Sequence, residues 1–246
     1  RSTEIYFVYL ALIITSYISV LVSFHRSKEV KYVVYVLFSL FLICMSGFRH
    51  DVGVDYMPYA VLMDNISNGL ATHTEWLFNS LVRFAYSAGF DYRLVFFFYS
   101  LATVVLVVRG IKVYSIESRI LYLTIYALTP LMFLTSFNGI RQYLCVSYLF
   151  FLWMTKRENK VLWLFSILIH KSAILALPLF FLLSRKISVA MWVISLCVLI
   201  LMEYLFLESY KDITIYFSRN VVKSDMTMVY LNIIVGVIGL VFFKNS

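Results

Sequence analysis

Two short stretches carry the residues best suited to chemistry. FNGIRQYLC (137–145) sets Asn138, Arg141 and Gln142 between two of the most apolar runs of the chain. An arginine at the membrane centre costs ~2.5–3.5 kcal/mol on insertion scales, and such residues usually face the bundle interior or a pathway. Its planar fork of N–H donors suits a phosphate, so Arg141 is the first candidate for holding a phosphorylated group. The plain alternative is a side chain that snorkels from a helix end. The second stretch, IHKSA (169–173), puts His170 beside Lys171 and Ser172 at a break in an apolar run. An imidazole there can act as a general base or donate to a phosphate near neutral pH. Lys171 is either a second phosphate contact or a snorkelling cation.

Further polar residues follow the second apolar run. GFRHDVGVDYMPY (47–59) crowds Arg49, His50, Asp51, Asp55, Tyr56 and Tyr59 around Gly47 and Gly53. Gly53 tolerates backbone conformations closed to other residues, so a compact loop is expected. His50 has no partner histidine at zinc-like spacing, so no metal is expected here. Glu75 opens the stretch EWLFN, either as an acid favoured near a helix N-terminus or as part of a site. In ESYKDITIYFSRNVVKSD (208–225), Tyr216 and Arg219 are the remaining candidates for substrate contact.

The elements that must position these residues are apolar. Hydrophobic residues make up 62% of the 246-residue chain and charged ones 14%, against roughly a quarter charged in soluble domains. Continuous apolar runs without period-two alternation exclude a β-barrel and indicate an all-α, polytopic membrane protein. Spans are expected near 5–24, 32–48, 93–109, 120–137, 140–155, 159–171, 172–184, 187–205 and 228–243, about nine in one domain covering 1–246. Basic tracts at 25–31, 109–119, 155–160 and 184–186, with Lys244, fall between them. Cytoplasmic loops are enriched in Lys and Arg. Placing all five tracts inside gives twelve basic and three acidic residues there, and nine and ten outside. The net charges of +9 and −1 make up the chain's +8.

The same scheme makes 76–90 an outer-face amphipathic or re-entrant helix, inside an outer loop 49–92, with a second outer loop at 206–227. The run 159–171 rises only about 18 Å as a helix, against a hydrocarbon core of ~30 Å. His170 and Arg141 are therefore both expected below the outer surface, lining one cavity. Cys44, Cys145 and Cys197 lie in apolar runs without CxxC spacing and read as unpaired. The basic balance lacks any nucleic-acid signature, so no nucleic-acid partner is expected.

FRHDVGVDYMPY, EWLFNSLVRFAYSAGFDY, FNGIRQYLCVSYLFFL and LIHKSAILALPLFFL, in that order, resemble the EpsG/Wzy-type bacterial polysaccharide polymerases across roughly 45–185. The resemblance implies a GT-C-like membrane fold in the bacterial inner membrane, with the site facing the periplasm or outside. It implies transfer of a growing glycan from undecaprenyl pyrophosphate onto a lipid-linked oligosaccharide repeat unit, with inversion and without a cofactor. Membrane lipid and a chain-length regulator are the partners such a polymerase would have. In that chemistry Arg141 and Arg49 would clamp the pyrophosphate, and His170, Asp51, Asp55 or Glu75 would supply the base. Tyr56 and Tyr59 would meet sugar rings, and Asn138, Gln142, Lys171 and Arg219 would complete the substrate contacts. An O-antigen ligase uses the same donor, and a flippase of lipid-linked oligosaccharides is the alternative outside enzymes.

Overall fold

The computed structural model describes residues 2–70, 74–129, 132–157, 159–171 and 173. The chain falls into two units, Arg1–Pro178 and Leu179–Ser246, and all described residues lie in the first. The expected spans at 187–205 and 228–243, most of the one at 172–184, and the loop 206–227 with Arg219 lie outside the described residues.

Among the described residues there are eight α-helices and no strand. They are α1 (Ser2–Ser23), α2 (Lys28–Gly47), α3 (Tyr56–Ser67), α4 (Trp76–Ser87), α5 (Tyr92–Gly110), α6 (Ile116–Leu128), α7 (Ile140–Met154) and α8 (Lys160–Ile169). Polar side chains fix several starts by accepting orphan backbone N–H groups. Ser27 accepts from Val30, Asp91 from Arg93, Ser115 from Ser118 and Asn159 from Val161. Among the described residues two helices, Lys28–Gly47 and the run Tyr92–Val113 formed by α5 with the turn after it, are long and apolar enough to cross a membrane. Ile13, Tyr17, Val33 and Leu37 are each about half exposed on α1 and α2. Apolar faces of that extent are lipid-facing surfaces rather than water-facing ones.

The segment expected to cross as 120–137 does not run through. α6 ends at Leu128, and a 3-10 turn at Thr135–Phe137 precedes α7. Thr129 stands before Pro130, whose ring disfavours helical backbone in the preceding residue, and Thr129 is extended at ψ 112°. The loop expected over 47–59 is also shorter, because α3 begins at Tyr56. Pro58 sits in the first helical turn, where its missing N–H costs nothing, and Tyr56, Ala60, Met63 and Ile66 face the core. The helix expected within 76–90 is α4, which buries Phe78, Val82 and Ala85.

Contacts sort the helix ends into two groups. At one end Lys31 of α2 pairs with Glu117 of α6 at 2.6 Å, and the Tyr35 hydroxyl donates to the Val108 carbonyl near the end of α5. Gly110 lies close against Phe150 and Phe151 near the end of α7. The basic tracts 25–31 and 109–119, with Lys156 and Arg157 after α7, therefore share this end. At the other end Gly47 meets Phe97, leaving no room for a side chain: a Cβ would lie 2.8 Å from that ring.

Among the described residues two buried apolar clusters form the core. One joins Leu12, Phe38, Leu42, Val107, Leu123 and Phe133. The other joins Met63, Phe78, Val95, Phe96, Tyr99 and Ile140 beneath the second end.

Single cysteines replacing Lys28, Lys112 and Arg157 in a cysteine-free background are expected to react with an impermeant thiol reagent from one side of the membrane. One replacing Asn68 is expected to react from the other. Labelling of all four from one side would overturn this arrangement.

Candidate active site

Three element ends meet at the second end of the bundle. Glu75 immediately precedes α4, Arg141 lies in the first turn of α7, and His170 follows the last residue of α8. The Glu75 carboxylate joins the other two. Its Oε2 accepts from Arg141 Nη1 in an ion pair, and its Oε1 lies 2.8 Å from His170 Nδ1. The backbone N–H of Lys171 also donates to Oε1, at 3.3 Å. The carboxylate side chain is 6% exposed, the guanidinium 18% and the imidazole 15%, so the cluster is largely withdrawn from solvent.

Aromatic rings hold the guanidinium in place. Arg141 Cζ lies 5.1 Å from the centre of the Phe78 ring and 5.6 Å from that of Tyr59. Its Nε donates a long hydrogen bond of 3.4 Å to the Tyr59 hydroxyl. Phe78 packs edge-on against the buried Tyr99 of α5. Contacts of a cation with ring faces gain about 0.5–2 kcal/mol as water is removed. His170 itself is extended, at φ −156° and ψ 127°, which ends α8 and turns the ring towards Glu75.

The protonation state of Glu75 follows from these neighbours. Burial raises the carboxyl's pKa. Hydrogen bonds from His170 and the backbone, with the charge of Arg141, outweigh that and hold it at about 2 instead of 4.5. At neutral pH Glu75 is therefore an anion.

Arg49 is used differently from the second clamp expected of it. Its Nη1 donates to the Ser46 carbonyl at 2.8 Å and its Nη2 to the Phe137 carbonyl at 3.1 Å. The guanidinium lies 4.6 Å from the centre of the Phe96 ring and 5.0 Å from that of Phe137. With the residue 7% exposed, Arg49 staples the end of α2 to the turn before α7.

Asn138 completes the same joint by accepting from the Val54 N–H at 2.9 Å. Gly53, at φ +103°, sits so close that a Cβ would lie 2.7 Å from the Asn138 carboxamide oxygen. The joint sets where α7 begins, and therefore where Arg141 points.

The remaining expected residues divide. Tyr59 joins the cluster. Tyr56 is 1% exposed and stacked on Phe96, so its ring is a core element with no face left for a sugar. Asp51, at φ +51°, and Asp55, before α3, lie in the half-buried loop. Gln142 and Lys171 are exposed at the mouth of the site. Phe78 and Tyr99 are site-forming residues that residue type alone does not mark. Their signal is position, one three residues after Glu75 and the other on the buried face of α5. Among the described residues no three His, Cys, Asp or Glu side chains gather to hold a metal.

Lipid-facing helices around a cation–carboxylate–imidazole cluster define an all-helical membrane protein with its polar site at one end of the bundle. The EpsG family matches residues 32–245, most of the chain, and this protein belongs to it. Membership points to polysaccharide biosynthesis by a polymerase type of glycosyl transfer. No curated protein and no solved structure matches the chain.

Gly53→Ala is expected to destabilise the protein by about 1–3 kcal/mol, read as a lower unfolding midpoint in detergent. The depressed pKa of Glu75 carries a pH dependence of known sign. A carboxylate below its ordinary value contributes stability above that value and loses it as pH falls through the folded one. The advantage of wild type over Glu75→Gln in thermal unfolding should therefore be full above about pH 4.5 and shrink towards pH 2.

Proposed function

We propose that this protein is a polysaccharide polymerase of the lipid-carrier type. In this reading it transfers a growing glycan from undecaprenyl pyrophosphate onto a lipid-linked oligosaccharide repeat unit, with inversion at the anomeric carbon. The observation that carries the reading is the Arg141–Glu75–His170 cluster, a fixed cation beside an oriented imidazole at one end of a membrane bundle. The positive-inside rule puts the basic end in the cytoplasm, and with nine crossings the cluster faces the periplasm or outside. Membrane lipid surrounds the bundle, and a chain-length regulator is the protein partner.

The chemistry asks for two things. As the bond from the anomeric carbon to the pyrophosphate oxygen breaks, negative charge grows on the leaving group and a preorganised cation stabilises it. Arg141 supplies that cation. The acceptor hydroxyl, attacking the opposite face of the sugar, gives up its proton to a base as the new bond forms.

His170 fits the second role because Glu75 engages Nδ1, leaving Nε2 as the ring nitrogen for the hydroxyl. A carboxylate on one nitrogen fixes tautomer and ring orientation for work at the other. Pyrophosphate is a good leaving group, so no metal is required. A ligase would share this donor chemistry and differ in its acceptor. A flippase would need polar groups through both leaflets, whereas this cluster lies at one end.

Arg141→Ala is expected to lower chain extension by about 100-fold or more, with normal abundance in the membrane. His170→Ala should cost a comparable factor. The measurement is extension of purified lipid-linked repeat units, resolved as a ladder on a gel, with a ladder that survives chelator. Full activity of Arg141→Ala would overturn the reading. Transfer only to a lipid A core acceptor would make the protein a ligase, and translocation without extension a flippase.

A further inference from the structure

The Arg141 fork is already engaged. A guanidinium presents two edges to a phosphate, one made by Nη1 and Nη2 and the other by Nε and Nη2. Glu75 takes Nη1 and the Tyr59 hydroxyl takes Nε, so one nitrogen of each edge is bound. A diphosphate that grips either edge through both of its nitrogens competes with one of these partners for a shared nitrogen. The Tyr59 bond is long and neutral, but displacing it would bring phosphate charge against a carboxylate still paired to the same guanidinium. Glu75, by contrast, has a second set of partners. Its Oε1 is held by His170 Nδ1 at 2.8 Å and by the Lys171 N–H at 3.3 Å. Losing Arg141 from Oε2 leaves the carboxylate hydrogen-bonded rather than stranded.

We propose that Glu75 is a displaceable counter-ion of Arg141, holding the guanidinium in place until the diphosphate of the lipid carrier takes the Nη1–Nη2 edge from it. This rests on the reading of Arg141 as the diphosphate contact. After the exchange Glu75 keeps His170 and the Lys171 N–H, and its charge bears on the imidazole alone. Donor binding and preparation of the base are thereby one event. Until then the desolvated arginine is neutralised and correctly aimed. Competition carries a cost in apparent affinity, which falls in proportion to the fraction of molecules whose Arg141 is free.

The test uses the full chain purified in detergent, with inorganic pyrophosphate as the probe in calorimetry and chain extension measured in parallel. Glu75→Gln is expected to bind pyrophosphate about tenfold tighter than wild type, if about a tenth of wild-type molecules have Arg141 free. The same variant should extend chains about tenfold more slowly, because its carboxamide orients His170 less well. A residue of merely structural importance would weaken both.

Glu75→Asp, which keeps the charge but shortens its reach, should shift both readouts the same way by less, and serves if the glutamine variant is unstable. Undecaprenyl pyrophosphate should show the gain and phosphatidylglycerol none; an equal gain with phosphatidylglycerol would overturn selectivity for a diphosphate. Unchanged or weaker pyrophosphate binding by Glu75→Gln or Glu75→Asp overturns the exchange. Arg141→Gln binding pyrophosphate as well as wild type overturns the underlying assignment of Arg141, whatever the Glu75 variants do.

Discussion

A guanidinium withdrawn from water needs an anion within reach, and in this protein one carboxylate answers that need and holds an imidazole as well. The rest of the described structure is arranged around bringing Glu75, Arg141 and His170 together. α4 buries Phe78, Val82 and Ala85, which anchors the helix so that the residue before it lies over the start of α7. α7 begins one residue before Arg141, and α8 ends one residue before His170. Each group therefore stands at or near an element end, where backbone direction changes and side chains from different helices can converge. Burial of such a group without a partner would cost several kcal/mol. The cluster avoids that by giving both carboxylate oxygens a donor.

Arg49 and Arg141 show how the same side chain can do different work. Arg49 meets two backbone carbonyls and two aromatic rings, a setting that fixes chain segments 88 residues apart. Burial lowers its pKa to about 10, still leaving it charged at neutral pH. Hydrogen bonds to charged groups contribute about 1.5–3 kcal/mol each, so two of them make a stiff joint. Arg141 instead meets a carboxylate and a hydroxyl, partners that a stronger anion can replace. Carbonyls of a packed backbone offer no such exchange.

Much of this was legible in the sequence. A cation and an imidazole between apolar runs, each near a break, marked Arg141 and His170. Apolar run lengths gave α1, α2, α5 and α7 to within a few residues, and the polar interruption in 76–90 gave α4. What escaped was set by geometry without a period. Glu75 read equally well as an acid near a helix start, because its partners lie 66 and 95 residues further on. Arg49 and Tyr56 carried the residue types of a substrate site, but neighbouring aromatic faces decided that both belong to the packing. Tyr56, Ala60, Met63 and Ile66 follow helical spacing, yet Gly53 favoured a loop reading of 47–59.

The order of the chain gives the cluster a history. Glu75 is made first, Arg141 follows after 66 residues and His170 after 95. At about 5–20 residues per second, the carboxylate waits for several seconds or more before both partners have been synthesised. Until then it lacks both partners, and the helices that bear them must insert in the direction that brings them to it. Closure of the cluster thus records that insertion up to α8 has succeeded. A chain stalled or inverted after α5 would keep its apolar helices and still lack the ion pair that completes this end.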